Sequence, residues 1–216
     1  MKYSKIKFCI VVLTLLTSRL LHAQKEGNIW YFGVNAGLDF NSGAPHALTN
    51  GVLSTLEGSS SIADVNGNLL FYTDGITVYN NNHLQMPNGS GLLGHWSSTQ
   101  SALIVPQPES SNIYYIFTTY FQGGFGFYYS IVDMSLQGGL GDVTTKNIAL
   151  FNPVTEKQTA VRHENGCDLW VITHEYRTLN FRAYLVNDAW IDTTPVISSV
   201  GSVHTPDLQN LVLLDS

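Results

Sequence analysis

Residues 59–81 read SSSIADVNGNLLFYTDGITVYNN, and this stretch decides the fold class. It predicts three short strands at 61–64, 69–73 and 76–79, joined by turns at Asn66-Gly67 and Asp74-Gly75. Asn-Gly and Asp-Gly are strong hairpin signals, because these residues tolerate the positive φ that a two-residue type I′ turn requires. We therefore expect an antiparallel meander closed by two tight turns.

Weaker copies of this unit recur twice downstream. The paired strands are 61–64 with 68–73, 101–105 with 112–118, and 159–162 with 168–173. The second strand of each pair is apolar almost throughout and ends at Thr73, Thr118 or Thr173, which lie 45 and 55 residues apart. A strand that is apolar at successive positions must be covered on both faces. A repeat of about 40 to 50 residues with several strands predicts a β-propeller.

Composition agrees with an all-β chain, because strand and turn formers are frequent and helix formers are scarce. The second and third units each complete four strands, at 125–134 and 146–151 and at 181–186 and 196–203. A strand or hairpin at 28–40 could close a ring against a last blade. Propellers need about four blades or more. We therefore expect an incomplete propeller of about three blades over 24–216, truncated at its C-terminus. The alternative is that the chain assembles with another molecule, which would cover its apolar tail (207–216).

The N-terminus predicts export. Lys2, Lys5 and Lys7 precede an apolar run at 8–17, and Ala23 offers a cleavage site, so residues 1–23 are expected to be a signal peptide. The apolar run is too short to span a bilayer, and no transmembrane segment is expected in the mature chain. The mature chain would then lie outside the cell or on its surface, with the secretion machinery as a partner.

Removing the signal makes the chain strongly acidic. Four of the ten basic residues lie in the signal, which leaves six against sixteen acidic residues, a net charge of −10. A chain this acidic is repelled by phosphate backbones, so nucleic acid is excluded as a partner.

Cys9 leaves with the signal, and Cys167 remains without a disulfide partner. It is a free thiol, a thiol whose partner is missing because the chain is incomplete, or a small apolar residue beside a turn.

Five blocks of sequence follow one another along the chain: NIWYFGVNAGLDFNSG (28–43), LTNGVLSTLEGSSSIADVNGNLLFYTDGITVYN (48–80), GLLGHWSSTQSALIVPQP (91–108), GGLGDVTTKN (138–147) and TEKQTAVRHENGCDLWVITHEY (155–176). Taken in this order, they resemble the N-terminal propeller-like region of large surface proteins of gliding bacteria. Such proteins often continue into PKD-type repeats and a gliding-motility-associated sorting domain. The resemblance implies an adhesin-like role at the cell surface after type IX secretion. It implies no catalytic residues.

Candidate site residues are few. Clustered aromatic residues, among them Tyr120, Phe121 and Tyr128, could stack on sugars at one face of the propeller, although core packing would also explain most of them. His163 and His174 flank one predicted hairpin and could meet across it as a metal pair, whereas strand-end histidines are the simpler interpretation. We expect no catalytic residues and no cofactor.

Two classes of function follow from these patterns. The first is a non-catalytic binding module, the N-terminal part of a larger surface protein, with extracellular glycans or surface proteins as partners. The alternative is a propeller-fold carbohydrate-active enzyme, a glycoside hydrolase or polysaccharide lyase, since propeller axes often collect carboxylates. Asp64, Asp74 and Glu164 are the acidic residues that could converge at such an axis, and a pair about 5 to 9.5 Å apart would favour the enzyme.

Overall fold

The computed structural model describes residues 25–203, which fold into antiparallel strands with two short 3₁₀ turns. The first sheet has three strands: β1 (Ile29–Phe32), β2 (Ala36–Asp39) and β3 (His46–Leu48). The all-β prediction is therefore confirmed. The predicted signal peptide and the apolar tail lie outside the described residues.

Three four-stranded sheets follow, each a simple meander with its strands in chain order. The second contains β4 (Ser60–Ala63), β5 (Leu69–Thr73), β6 (Thr77–Asn80) and β7 (Gln85–Ser90). The third contains β8 (Ala102–Pro106), β9 (Ile113–Thr119), β10 (Phe127–Asp133) and β11 (Asp142–Phe151). The fourth contains β12 (Val154–Arg162), β13 (Leu169–Glu175), β14 (Asn180–Val186) and β15 (Val196–Ser199). None of these sheets closes on itself, and no helix within residues 25–203 is long and apolar enough to cross a membrane.

One apolar core lies between each pair of consecutive sheets. Tyr31 and Tyr72 belong to the core between the first and second sheets, where their rings stack at 4.5 Å. Phe71, on the opposite face of β5, belongs to the core between the second and third sheets. Along β9, Ile116 faces the second sheet and Phe117 the fourth. The predicted coverage of these apolar strands on both faces is thus confirmed for β5 and β9, because each lies in a sheet with a neighbour on either side.

The turns differ from the expected two-residue type I′ geometry. In the β4–β5 turn Gly67 has φ of 87°, and its N–H donates to the carbonyl oxygen of Asp64, but Asn66 is not in the positive-φ region. The carboxylate of Asp64 accepts hydrogen bonds from the N–H groups of Asn66 and Asn68 at 2.8 Å. This capping favours a longer loop with one positive-φ glycine. The I′ prediction was therefore wrong, although the strands on either side were correct.

Two edge strands were missed from the sequence. The segment of β7 contains Pro87, Asn88 with φ of 53°, and Gly89, which are poor strand formers. Proline is tolerated on an edge strand because one row of its backbone groups makes no ladder bonds. The short strand β3 (His46–Leu48) completes the first sheet in the same edge position.

Candidate binding site

Five aromatic rings meet at one end of the sheets, on the segment before β8 and the loop between β9 and β10. The His95 ring stacks on Phe121 at 5.2 Å and 23°, and it contacts Tyr120 at 4.8 Å and Trp96 at 5.3 Å. The Phe125 ring packs edge-on against Tyr120 at 4.6 Å. Trp96 and Phe125 remain 49% and 55% exposed. We call these five residues the aromatic cluster.

The carboxylate of Glu156, on β12, connects the two loops of the aromatic cluster. Its Oε2 accepts hydrogen bonds from the backbone N–H of Thr99 at 2.9 Å and from the Thr99 hydroxyl at 2.8 Å. Its Oε1 accepts from the backbone N–H of Gln122 at 3.0 Å. Hydrogen bonds to an ionised acceptor are stronger than neutral ones. A side chain of the fourth sheet therefore holds two loops that belong to the third.

The His95 ring is oriented by its own loop. The backbone N–H of His95 donates to Oγ of Ser101 at 3.1 Å, and Nδ1 of His95 accepts from the N–H of Ser97 at 3.1 Å. Because Nδ1 is an acceptor, the proton of the neutral ring is on Nε2, which can donate a hydrogen bond. The cluster thus combines ring faces with one oriented donor.

Two glycines allow the rings to lie close to the backbone. A Cβ at Gly124 would lie 2.2 Å from Cδ1 of the Tyr120 ring. A Cβ at Gly123, where φ is 72°, would lie 2.7 Å from the ring of Tyr176 in the β13–β14 turn. The Arg177 guanidinium lies 5.1 Å from the Tyr176 ring centre, so a cation borders the cluster.

A polar groove of about 350 Å³ adjoins the cluster along the first strands of the second, third and fourth sheets. It is lined by Glu57, Ser59, Ser60, Thr99, Gln100 and Gln158, together with a few smaller or apolar residues. The side chain of Gln158 on β12 donates to the carbonyl oxygen of Gln100 at 2.7 Å, which joins β12 to the segment before β8 across the groove. Thr99 therefore belongs both to the groove wall and to the Glu156 contact. The aromatic cluster and the polar groove therefore form one adjoining surface at this end of the sheets.

The structure brings together two of the three predicted ring residues. Tyr120 and Phe121 lie in the aromatic cluster, whereas Tyr128 lies within β10, paired with Thr118 on β9 and Ala149 on β11. None of the ring contacts of the cluster involves Tyr128. Sequence reasoning missed His95 and Trp96, which precede the first strand of a unit. The signal that could have found them is the His-Trp pair itself, in a segment without strand periodicity.

His163 and His174 are not brought together. His163 lies in the β12–β13 turn, where its N–H donates to the carbonyl oxygen of Asp168. His174 lies near the far end of β13, buried with its ring 4.6 Å from that of Phe181. The two histidines are roughly 20 Å apart along β13, at about 3.3 Å per residue. Within residues 25–203 no group of three or more His, Cys, Asp or Glu side chains could hold a metal ion.

The three acidic residues do not converge. Asp64 and Asp74 lie in turns at opposite ends of β5, and Glu164 is exposed in the β12–β13 turn. Burial opposes ionisation of Asp64, but the hydrogen bonds from Asn68 and Asn66 outweigh it and lower the pKa of this carboxyl. Oδ1 of Asp74 accepts from the N–H groups of Ile76 and Thr77 at 2.8 and 2.7 Å. Both aspartates therefore cap the turns in which they lie.

Cys167 is an exposed free thiol in the β12–β13 turn. Its backbone N–H donates to Oδ1 of Asn165 at 3.0 Å, so the residue is part of the turn structure. Its place beside a turn is the one expected from the sequence, and a role for its thiol stays a prediction.

The described fold and site define an all-β protein of four stacked antiparallel sheets with an exposed ring cluster at one end. Comparison with known proteins adds no relative: no protein family, no curated protein and no solved structure matches the chain.

Proposed function

We propose that this protein is an exported, non-catalytic binding module that uses the aromatic cluster to bind extracellular glycans. The observation that carries the proposal is the exposure of Trp96 and Phe125 beside the stacked rings of His95, Phe121 and Tyr120. Large exposed rings held in a fixed arrangement are typical of binding surfaces, since their burial by a ligand costs little conformational entropy.

The surroundings of the rings suit a sugar better than a purely apolar ligand. An aromatic face packs against the C–H face of a sugar ring, whose hydroxyls then need polar partners. Thr99, Gln100 and Gln122 are exposed next to the rings, and the neighbouring groove is polar. The excess of acidic residues disfavours anionic glycans. A neutral or cationic glycan is therefore the expected ligand.

The sheets are proposed to be blades of a propeller. Three successive four-stranded meanders, each with a core shared with its neighbour, support this arrangement. The resemblance to surface proteins of gliding bacteria supports a role at the cell surface, as the N-terminal part of a longer protein. The predicted signal at 1–23 supports export. In such an arrangement the aromatic cluster would lie where several blades meet at one face of the ring.

The proposal is tested by screening the mature chain against an array of neutral, cationic and anionic glycans. Binding should weaken about tenfold or more in Trp96→Ala and Phe121→Ala, as expected for anchoring aromatic residues. The matched control is Trp190→Ala, because Trp190 is 62% exposed and follows β14 at the opposite end of the sheets. Absence of binding to glycans and to matrix proteins would refute the proposal. So would hydrolysis or elimination of a bound glycan, since that result would favour the alternative of a carbohydrate-active enzyme.

A further inference from the structure

The polar groove beside the aromatic cluster is rich in hydrogen-bond acceptors. The hydroxyl of Ser59 donates its proton to the carbonyl oxygen of Tyr31 at 3.1 Å, and the hydroxyl of Thr99 donates to Glu156 at 2.8 Å. A hydroxyl has one proton and two lone pairs, so each of these groups can only accept a further hydrogen bond. Both side chains therefore present acceptors to a ligand in the groove.

The side chain of Gln158 adds an acceptor that no protein group uses. Gln158 is 5% exposed, and its Nε2 donates to the carbonyl oxygens of Gln100 at 2.7 Å and Phe117 at 3.4 Å. Within residues 25–203 its Oε1 accepts no hydrogen bond, although the atom is buried in the groove wall. An unsatisfied carbonyl oxygen leaves the negative end of an amide dipole there, which favours a donor or a cation beside it.

Glu57 brings a negative charge to the part of the groove nearest Trp96. It lines the groove and is exposed, and its Oε1 accepts one long hydrogen bond, from the hydroxyl of Ser97 at 3.5 Å. Among the described residues no lysine or arginine lines the groove, and Glu57 makes no ion pair there. This carboxylate is therefore available to a cation from outside the protein.

Two lining side chains can still donate. Oγ of Ser60 accepts from the N–H of Ile104 at 3.2 Å, and Oε1 of Gln100 accepts from the N–H of Gln158 at 2.8 Å, so the Ser60 hydroxyl proton and the Gln100 amide protons remain for a ligand. These donors suit the hydroxyl oxygens of a sugar ring. Acceptors nevertheless prevail in the groove, together with an uncompensated negative charge.

We propose that the polar groove binds the free amino group of an amino sugar, which makes the ligand a glycan with unsubstituted hexosamine units. An ammonium group offers three donors and a positive charge, which match the acceptors of the groove and the carboxylate of Glu57. An N-acetyl group carries no charge and offers a single donor. The inference narrows the class of ligand and rests on the proposed binding of glycans by the aromatic cluster.

The test uses three oligomers with the same β-1,4-linked backbone, which differ at C2 alone: glucosamine, N-acetylglucosamine and glucose. Their affinities for the mature chain are measured by titration calorimetry at a pH at which the amine is protonated. We expect the glucosamine oligomer to bind about three- to tenfold more tightly than the glucose oligomer, as for a hydrogen-bonded charge at an exposed site. This preference should shrink as the salt concentration rises, because exposed charges are screened.

Glu57→Gln keeps the shape of the side chain and removes its charge, so the preference for the glucosamine oligomer should fall. The matched control is Glu164→Gln, in the exposed β12–β13 turn, which should keep the preference. Both variants change the net charge by the same amount. Nonspecific attraction of a cationic oligomer to the acidic chain would therefore affect them equally.

Three outcomes would overturn the inference and leave glycan binding standing. The first is equal affinity of the native chain for the glucosamine and glucose oligomers. The second is a preference for the N-acetylglucosamine oligomer, which would mean that the groove favours a neutral acetamide. The third is a preference for glucosamine that is the same in Glu57→Gln and Glu164→Gln. Absence of binding to any glycan would instead refute the proposed function itself.

Discussion

Glu156 connects two loops through three hydrogen bonds, to the N–H and hydroxyl of Thr99 and to the N–H of Gln122. Glu156→Ala removes all three, so we expect the free energy of unfolding to fall by about 1 to 3 kcal/mol. We also expect glycan binding to weaken, because Tyr120 and Phe121 lose a fixed loop. Urea unfolding and glycan titration measure the two effects. Glu164→Ala, in an exposed turn, is the control, and unchanged binding in Glu156→Ala would contradict the role of this contact.

The tyrosines make stability fall at high pH. Burial raises the pKa of Tyr72 to about 12, and it also raises the pKa of Tyr31, Tyr114 and Tyr184 above the ordinary value of 10. A folded-state pKa above the unfolded one means that the folded protein holds the phenol proton more tightly. This contribution is fully present below pH 10 and is lost as the pH rises toward 12.

We therefore expect the free energy of unfolding to decrease between pH 10 and 12. Tyr72→Phe should make this decrease shallower, because phenylalanine has no proton to lose. The hydroxyl of Tyr72 accepts from the N–H of Val52 at 3.3 Å and contacts Nδ1 of His83 at 3.0 Å, so the variant is also expected to be somewhat less stable at neutral pH. Denaturant unfolding at a series of pH values checks both effects. An identical alkaline slope in the two proteins would refute the assignment to Tyr72.

At the scale of single elements, a bulge in β11 connects the third sheet to the segment after β7. Oδ1 of Asn147 accepts from the N–H of Leu93 at 3.2 Å, and its Nδ2 donates to the carbonyl oxygen of Gly91 at 2.9 Å. Asn147 has φ of 61°, a conformation that asparagine and glycine tolerate better than alanine does.

Two substitutions of Asn147 separate the contribution of its side-chain hydrogen bonds from that of its backbone conformation. Asn147→Gly loses the side-chain hydrogen bonds but keeps the backbone unstrained, and we expect a loss of about 1 to 2 kcal/mol. Asn147→Ala loses the same bonds and also strains the backbone, at a further cost of about 1 kcal/mol. Urea unfolding of both variants provides the comparison. An alanine variant as stable as the glycine variant would show that the bulge relaxes.

The elements also show what the sequence can and cannot predict. The central strands β5 and β9 were predictable because apolar residues at successive positions require cover on both faces. The edge strand β7 was not, because Pro87 and Gly89 have low strand propensity and pairing with β6 alone establishes it. Only part of the aromatic cluster could be predicted from the sequence, for a similar reason. Tyr120 follows a recognised strand, whereas Trp96 lies in a connecting segment whose position depends on tertiary contacts.

At the scale of the whole molecule, the cores form a linear series. Within residues 25–203 each core joins only consecutive sheets, so a defect should spread first to its nearest neighbours, as in repeat proteins. Leu53, 1% exposed, lies in the core between the first and second sheets, and Ile116, fully buried, lies in the core between the second and third. Replacing either by alanine should cost about 2 to 5 kcal/mol locally.

Native-state hydrogen exchange measured by mass spectrometry distinguishes the two positions. Leu53→Ala should accelerate exchange in β1 and β2 and leave β13 and β14 protected, because two intact cores separate the defect from the fourth sheet. Ile116→Ala should accelerate exchange in the second and third sheets together. Equal acceleration of β1 and β13 by Leu53→Ala would contradict a linear series. Such a result would mean that the first and fourth sheets unfold as one cooperative unit, as they would if further sheets joined them into a ring.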